Sequence, residues 1–311
     1  MSSKTRDHGG GLDAAIAKYG GTRSDWVDLS TGINPVPYPI PDIATDAWSA
    51  LPDQSANDAL LAAARRFWNV PDQAAILAAP GASALIAKIP SLFETGTVTI
   101  QGPTYNEHAA AFRANGWDMA DTGQVQVVVH PNNPDGRLWR ASDLTHPFTV
   151  IDESFCDVAP AASMVERAGQ PGTLILKSFG KFWGLAGLRL GFAIGQPEMI
   201  KNLTNQLGPW AVSGPALTIG AAALRDAAWT MQTRERLAAD AAILDSLMAD
   251  SHAKLVGGTT LFRLYHVDDA IAWQDRLAQK HVWSRVFPYS QNWLRLGLPA
   301  PNEWDQLRSA L

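Results

Sequence analysis

The chain has 311 residues, of which 46% are hydrophobic and 18% are charged, and its formal net charge is −5. This composition is typical of a soluble globular protein long enough for more than one domain. The negative charge and the lack of a Lys/Arg-rich block exclude a nucleic-acid-binding protein from the expected classes.

The sequence also bears on compartment and membrane contact. No apolar run approaches the roughly 18 residues needed to span a bilayer, so we expect no membrane partner. The first residues lack the apolar segment of a signal peptide. The single cysteine, Cys156, allows no intramolecular disulfide, and we interpret it as a small buried hydrophobic residue. We therefore expect a cytoplasmic protein.

The first two thirds of the chain predict helices that alternate with buried strands. A helix over 12–19 ends at a glycine pair, a Pro/Gly-rich extended segment follows, and helical spacing returns at 56–68. Nearly continuous apolar runs then follow, which are typical of strands buried on both faces of a parallel sheet. We predict these strands at 74–79, 97–101, 125–130, 148–152, 173–179 and 188–195.

The last third predicts one long helix over 215–250 and then a small α+β region. In that region we predict a strand at 259–267, a helix at 269–280 and a strand at 292–298. The whole pattern predicts an α/β fold: a large, doubly wound, mainly parallel sheet domain and a small α+β domain built from both chain ends. The predicted limits are 1–49 for the N-terminal arm and part of the small domain, 50–205 for the large domain, and 206–311 for an interdomain helix and the C-terminal small domain.

The strongest chemical signal is the stretch SFGKFWGLAGLRLG at 178–191, where Lys181 occupies a glycine-rich loop after a predicted strand. Apolar neighbours disfavour the ammonium form of a lysine, and a lysine must be in its neutral amine form to act as a nucleophile. The hydroxyl of Ser178 and the guanidinium of Arg189 suit a phosphate dianion. The pattern therefore predicts a pyridoxal 5'-phosphate site in which Lys181 carries the cofactor covalently. The alternative is a solvated lysine in a surface loop.

With three further segments in order, this loop resembles the fold-type I aminotransferases, in the branch that contains histidinol-phosphate aminotransferase. The segments are PGAS at 80–83, PNNPDG at 131–136 and IDESF at 151–155. The resemblance implies that Asp152 pairs with the ring nitrogen of the cofactor, that Asn133 donates to its phenolic oxygen and that Tyr105 stacks on its ring. The implied phosphate ligands are Ser178, Arg189, Gly81, Ala82 and Ser83.

Each of these residues, taken alone, has an ordinary alternative. Asp152 can begin a helix together with the glutamate beside it, Asn133 can form a plain Asn-Pro turn, and Tyr105 can be a core residue. The segment at 80–83 can be a common helix cap. The order of the motifs favours the cofactor site, and it implies Lys181, Asp152 and Tyr105 as the residues that act on the reacting group.

The N-terminal sequence narrows the resemblance to one branch. The HGGGL string at 8–12 and DLSTGINP at 28–35 are similar to the opening of the threonine-phosphate decarboxylases of cobalamin biosynthesis. Phe155 and the string at 181–189 also resemble that branch. The resemblance implies conversion of L-threonine O-3-phosphate into (R)-1-amino-2-propanol O-2-phosphate. The resemblance implies Arg295 for the substrate carboxylate; the alternative is an ordinary strand arginine that points to solvent. Our candidates for the substrate phosphate are His8 and Asn34, with Gly32 as a further substrate-binding residue. The alternative for His8 is a histidine in a flexible tail.

Two features depart from the family pattern. Leu51 stands where the family usually has a tyrosine that reaches the cofactor phosphate of a partner subunit, and the chain between Tyr105 and Asn133 is short. We still expect a homodimer, because the family's active sites form at a two-fold interface. The expected ligand is a small phosphorylated amino acid, and no metal is expected. A histidinol-phosphate or related aminotransferase and an inactive cofactor-fold binding protein stay open as alternatives.

Overall fold

The computed structural model describes residues 7–311 of the chain. The α-helices are α1 (Leu12–Tyr19), α2 (Asp46–Ser49), α3 (Gln54–Trp68), α4 (Ala82–Lys88), α5 (Asn106–Ala114), α6 (Pro197–Leu207), α7 (Gly214–Ala223), α8 (Ala227–Asp250), α9 (Ala270–Ala278) and α10 (Trp304–Ala310). The strands are β1 (Val27–Asp28), β2 (Ala75–Ala79), β3 (Thr97–Ile100), β4 (Asp118–Met119), β5 (Val125–Val129), β6 (Phe148–Asp152), β7 (Thr173–Ser178), β8 (Gly191–Gly195), β9 (Lys254–Thr259), β10 (Phe262–His266), β11 (Val282–Trp283), β12 (Arg285–Phe287) and β13 (Ser290–Gly297). Across the described range, no helix is both long enough and apolar enough to cross a bilayer.

Contacts between residues divide the chain into two compact units. The smaller unit contains residues 7–36, the segment Pro134–Gly136 and Met231–Leu311. The larger unit contains Pro37–Asn133 and Arg137–Thr230. These units meet at residues 36–37 and 230–231, whereas the sequence predicts limits for the large domain at 50 and 205. The limits from the sequence remain a prediction.

The larger unit is built on a seven-stranded sheet with the order β2-β8-β7-β6-β5-β3-β4. The strands from β7 to β4 run parallel, and β8 is antiparallel to both of its neighbours. Every residue of β5 is buried, as expected for a β-branched strand covered on both faces. One side of the sheet packs Leu85 of α4, Phe112 of α5 and Leu203 of α6 against the strands. The predicted α/β fold with a mainly parallel sheet is confirmed.

The helix predicted over 215–250 is wrong as a single element, because the chain breaks between α7 and α8 at residues 224–226. The Asp226 carboxylate accepts a hydrogen bond from the backbone N–H of Trp229 at 2.9 Å, which satisfies a donor at the start of α8. Alanine-rich periodicity continues across the break and hides it, whereas the aspartate is a recognisable helix-start signal.

The smaller unit contains a four-stranded antiparallel sheet with the order β12-β13-β10-β9 and a parallel pair of β1 and β11. The strand predicted at 259–267 spans part of a hairpin, because the chain turns between β9 and β10 at residues 260–261. Helix α1 matches its predicted bounds, and it packs Leu12 and Ala15 against Trp26 and Ala278.

Candidate active site

A cavity opens at the carboxyl ends of the parallel strands β5, β6 and β7. Asp152 is the last residue of β6, Ser178 is the last residue of β7, and Lys181 lies in the loop that follows. Ligands of open α/β sheets bind outside these strand ends. The cavity brings together all the residues that the sequence assigned to the cofactor, and its walls include Gly81, Ala82, Ser83, Tyr105, Asn133, Asp152, Ser178, Lys181 and Arg189.

Stacked aromatic side chains hold the loop that carries Lys181. The Phe179 ring stacks on Trp183 with centroids 4.9 Å apart, and Trp183 stacks on Trp229 at 5.3 Å. These three residues form the aromatic stack, and pairs of this kind add to the free energy of burial. The Lys181 amine lies 5.4 Å from the centre of the Phe155 ring, at the cavity wall. The stack therefore limits the positions that the lysine amine can take.

The Asp152 carboxylate is buried and is held from both sides. Its Oδ2 lies 2.8 Å from Nε2 of His108, while its Oδ1 accepts the backbone N–H of Ser154 at 3.0 Å and the hydroxyl of Ser154 at 2.5 Å. Burial alone would raise the pKa of Asp152, but the hydrogen bonds from His108 and Ser154 outweigh it and lower the pKa. Asp152 is therefore a carboxylate at neutral pH and suits a protonated ring nitrogen.

A narrow cradle lies beside the Arg189 guanidinium. Gly81 has a φ of 87°, and a Cβ built on it would lie 2.7 Å from Nη2 of Arg189. A Cβ on Gly191 would lie 2.4 Å from the backbone nitrogen of Ala82. Arg189 itself adopts a left-handed backbone with a φ of 53°. Because the two glycines leave this space next to a guanidinium, the cavity wall fits the phosphate of the predicted cofactor.

Charged residues also lie behind the strand ends, on the side facing away from the cavity. We call Lys177, Glu153, Asp157 and Trp68 the back-face network. The Lys177 ammonium lies 2.5 Å from Glu153 and 3.6 Å from Asp157, and the Trp68 indole N–H donates to Asp157 at 2.9 Å. Burial would lower the pKa of Lys177, but the charges of Glu153 and Asp157 raise it above its ordinary value. The ammonium is therefore a permanent buried charge.

His130, Glu153 and Cys156 bring their ligand-type atoms within 4.8 Å of one another, and they are the one such group among residues 7–311. His130 uses both ring nitrogens inside the protein, since Nδ1 accepts from the Trp139 N–H at 3.0 Å and Nε2 donates to the Ala162 carbonyl at 2.7 Å. Burial, helped by the charge of Glu153, raises the pKa of the Cys156 thiol. These groups therefore serve internal hydrogen bonding and packing.

The predicted substrate residues belong to the smaller unit. Arg295 is 5% exposed, so the alternative of a solvent-facing strand arginine is wrong. Its Nη2 donates to the Ser30 carbonyl at 2.7 Å, and its guanidinium lies 5.2 Å from the centre of the Phe262 ring. Burial, with the nearby charge of Arg285, lowers the pKa of Arg295 to about 10. The side chain remains a cation at neutral pH and suits an anion.

The three other predicted substrate residues have different surroundings in this unit. Asn34 is buried, and its amide oxygen accepts from Arg236 at 2.6 Å. Gly32 is buried, whereas the His8 side chain is exposed. The carbonyl of His8 accepts a hydrogen bond from Arg285, whose guanidinium also forms a two-pronged ion pair with Asp7 at 2.7 Å. The N-terminal arm is thus tied to an arginine that the sequence left unassigned.

Sequence reasoning missed His108 and Ser154. His108 lies in the first turn of α5, three residues after Tyr105 at the helix N-cap, and the two rings meet edge to face with centroids 6.1 Å apart. That spacing is the signal that could have found it. Ser154 lies two residues after Asp152, where a hydroxyl can return to the preceding carboxylate in a tight turn.

The chain is similar to known proteins over nearly its full length. The family model "Aminotransferase class I and II" matches residues 24–311. A threonine-phosphate decarboxylase of Sinorhizobium sp. is 38% identical, over 97% of this chain and 96% of the relative. A threonine-phosphate decarboxylase of Pseudomonas aeruginosa is 37% identical, over 98% of this chain and 97% of the relative. The crystal structure of histidinol-phosphate aminotransferase from Sinorhizobium meliloti with pyridoxal 5'-phosphate has a TM-score of 0.82 and 18% identity, over 100% of this chain and 98% of that chain.

Proposed function

The chain belongs to the class I and II aminotransferase family, and within this family we propose that it is a threonine-phosphate decarboxylase. It converts L-threonine O-3-phosphate into (R)-1-amino-2-propanol O-2-phosphate and carbon dioxide, a step of cobalamin biosynthesis. The observation that carries the proposal is the identity of 38% and 37% to two threonine-phosphate decarboxylases over nearly the full length of both.

The cofactor is pyridoxal 5'-phosphate, and the cavity at the ends of β5, β6 and β7 has side chains for each part of it. Lys181 supplies the amine for covalent attachment, and Asp152 supplies the negative charge for the ring nitrogen. We propose Asn133 as the partner of the phenolic oxygen and Tyr105 as the residue that would stack on the ring. The proposed phosphate ligands are Ser178, Arg189 and the backbone of residues 81–83.

The bound cofactor supplies an electron sink for the bond that breaks at the substrate Cα. The chain's own residues do the rest. Asp152 is kept ionised by His108 and Ser154, so that it favours a positive charge opposite it. Loss of carbon dioxide leaves an electron pair at Cα, and we propose that Lys181 Nζ delivers the proton that replaces the carboxyl group there.

Substrate recognition is proposed from the smaller unit. Arg295, buried and cationic, binds the substrate carboxylate through its guanidinium. His8, Asn34 and Gly32 are the proposed neighbours of the substrate phosphate. Arg236 donates a hydrogen bond to the amide oxygen of Asn34 and so orients the amide. This supports a contact between Asn34 and the substrate phosphate at a fixed position.

We also propose that the enzyme works as a cytoplasmic homodimer. Large apolar side chains are exposed on the segment before α3, with Ile40 at 63%, Trp48 at 68% and Leu51 at 63%. Exposed apolar groups of this size are typical of protein interfaces. Leu51 has no hydroxyl, so the interface contact that the family makes through a tyrosine is packing here. Light scattering that reports a monomer at working concentration would contradict this part of the proposal.

The test is product analysis of the purified protein with pyridoxal 5'-phosphate and L-threonine O-3-phosphate. We expect aminopropanol phosphate and carbon dioxide, and neither from Lys181→Ala. L-Serine O-phosphate is the comparison substrate, because one methyl group discriminates by about 1–3 kcal/mol. Formation of a keto acid with accumulation of the amine form of the cofactor would establish the aminotransferase alternative instead.

A further inference from the structure

The hydroxyl of Ser154 is a polar group of the cavity wall, and the proposed function so far uses it only to keep Asp152 ionised. It lies two residues beyond the end of β6 and lines the same cavity as Lys181. It donates to Oδ1 of Asp152 at 2.5 Å, the same oxygen that accepts the backbone N–H of Ser154 at 3.0 Å. An alanine at this position would keep the backbone contact and lose the hydroxyl.

The two contacts of Ser154 and the contact of His108 engage both oxygens of one carboxylate. His108 lies on α5 and reaches Oδ2 at 2.8 Å, while Ser154 reaches Oδ1 from the turn after β6. A carboxylate gripped at both oxygens cannot rotate about its Cβ–Cγ bond without breaking a hydrogen bond. Hydrogen bonds to a charged acceptor are stronger than those between neutral groups. These three donors leave one lone pair on Oδ2, and its direction is therefore fixed.

We propose that Ser154 is a positioning residue that, opposite His108, fixes the plane of the Asp152 carboxylate for the ring nitrogen of the cofactor. The proposal rests on the proposed function only in taking pyridoxal 5'-phosphate as the bound group. It assigns Ser154 no contact with substrate. Ser154 acts through the Asp152 carboxylate, so it affects the binding only of a ligand that has the ring nitrogen.

The other charged groups near Asp152 do not take over this task. Lys181 and Arg189 line the cavity, and neither is among the hydrogen-bond donors described for Asp152. Glu153 and Lys177 point to the other face of the strand and pair with each other at 2.5 Å. Removing the Ser154 hydroxyl therefore leaves His108 and one backbone N–H as the described donors to this carboxylate.

The test measures cofactor dissociation constants by equilibrium dialysis, without substrate, for Ser154→Ala and Ser154→Thr. The matched control is Ser163→Ala, because the Ser163 hydroxyl also donates to a buried carboxylate, that of Glu153 at 2.7 Å, away from the cavity. We expect the dissociation constant to rise about tenfold in Ser154→Ala. We expect it to stay within about twofold in Ser154→Thr, which keeps a hydroxyl, and in Ser163→Ala.

A second ligand separates positioning from a general structural effect. In 1-deazapyridoxal 5'-phosphate a carbon replaces the ring nitrogen, so we expect Ser154→Ala and the unchanged protein to bind it equally. An equal loss for both ligands, an equal loss in Ser154→Thr, or no loss in Ser154→Ala would each overturn the proposal. Product analysis is independent of these measurements: a protein that binds the cofactor as expected and makes no aminopropanol phosphate would refute the decarboxylase function alone.

Discussion

The edge of the sheet where β6 and β7 end holds buried carboxylates on two faces, and the two faces treat them differently. On the cavity face, Asp152 is held by hydrogen bonds from His108 and Ser154. On the other face, Glu153 is paired with the Lys177 ammonium at 2.5 Å. Successive residues of a strand point to opposite faces, so one Asp-Glu pair supplies both groups. The Asp152 carboxylate is oriented by its partners and suits a ligand. The Glu153 carboxylate is neutralised by a buried cation and stabilises the fold.

The largest effect should come from removing the cation of the back-face network. Lys177→Met leaves two buried carboxylates without their ammonium, and breaking a buried ion pair in this way costs about 3–5 kcal/mol of unfolding free energy. Urea unfolding of the cofactor-free protein measures it. The exposed Lys201→Met is the matched control and should change the free energy by less than about 0.5 kcal/mol. A double variant with Glu153→Gln should regain part of the loss, and no recovery would contradict the pairing.

Next in size is the removal of the charge on the cavity face. Asp152→Asn should lower turnover of threonine phosphate by about 10²–10³, because a fixed charge opposite a developing charge contributes that much. Asp157→Asn, in the back-face network, should instead lower the unfolding free energy and leave turnover of the folded protein nearly unchanged. Equal changes in turnover and in unfolding free energy for the two aspartate variants would contradict the proposed difference between the two faces.

His108→Leu should have a smaller effect, on the cavity face only. It removes the donor to Oδ2 of Asp152, and a hydrogen bond to a charged group contributes about 1.5–3 kcal/mol. We expect weaker cofactor binding, measured by dialysis, with partial recovery in His108→Gln, whose amide can still donate. Full cofactor affinity in His108→Leu would show that Ser154 alone holds the carboxylate.

The smallest effect is a pH dependence. The pKa of Asp152 is lowered in the folded protein, so its contribution to stability is complete above its ordinary value of 3.8 and is lost as the pH falls through the folded value. The unchanged protein should therefore lose more unfolding free energy than Asp152→Asn as the pH falls below 3.8. Parallel stability curves for the two proteins would contradict the lowered pKa.

The residues that the sequence assigned to the cofactor line one cavity because they lie in short motifs at strand ends. Asp152 ends a buried strand, Lys181 and Asn133 follow buried strands, and parallel strands bring such positions to one edge. His108 escaped prediction because its contact with Asp152 joins residues 44 apart and depends on how α5 packs. The roles of Arg295, His8, Asn34 and Gly32 stay predictions, since they rest on the resemblance and not on local pattern.

The aromatic stack has an optical consequence. Trp183 is two residues from Lys181, fully buried, and stacked on Trp229 with 13° between the ring planes. Excitation absorbed by these indoles can pass to a cofactor ring held at Lys181, because energy transfer is efficient over such short separations. The intrinsic fluorescence of the protein should therefore decrease as the cofactor binds, and this decrease measures cofactor occupancy.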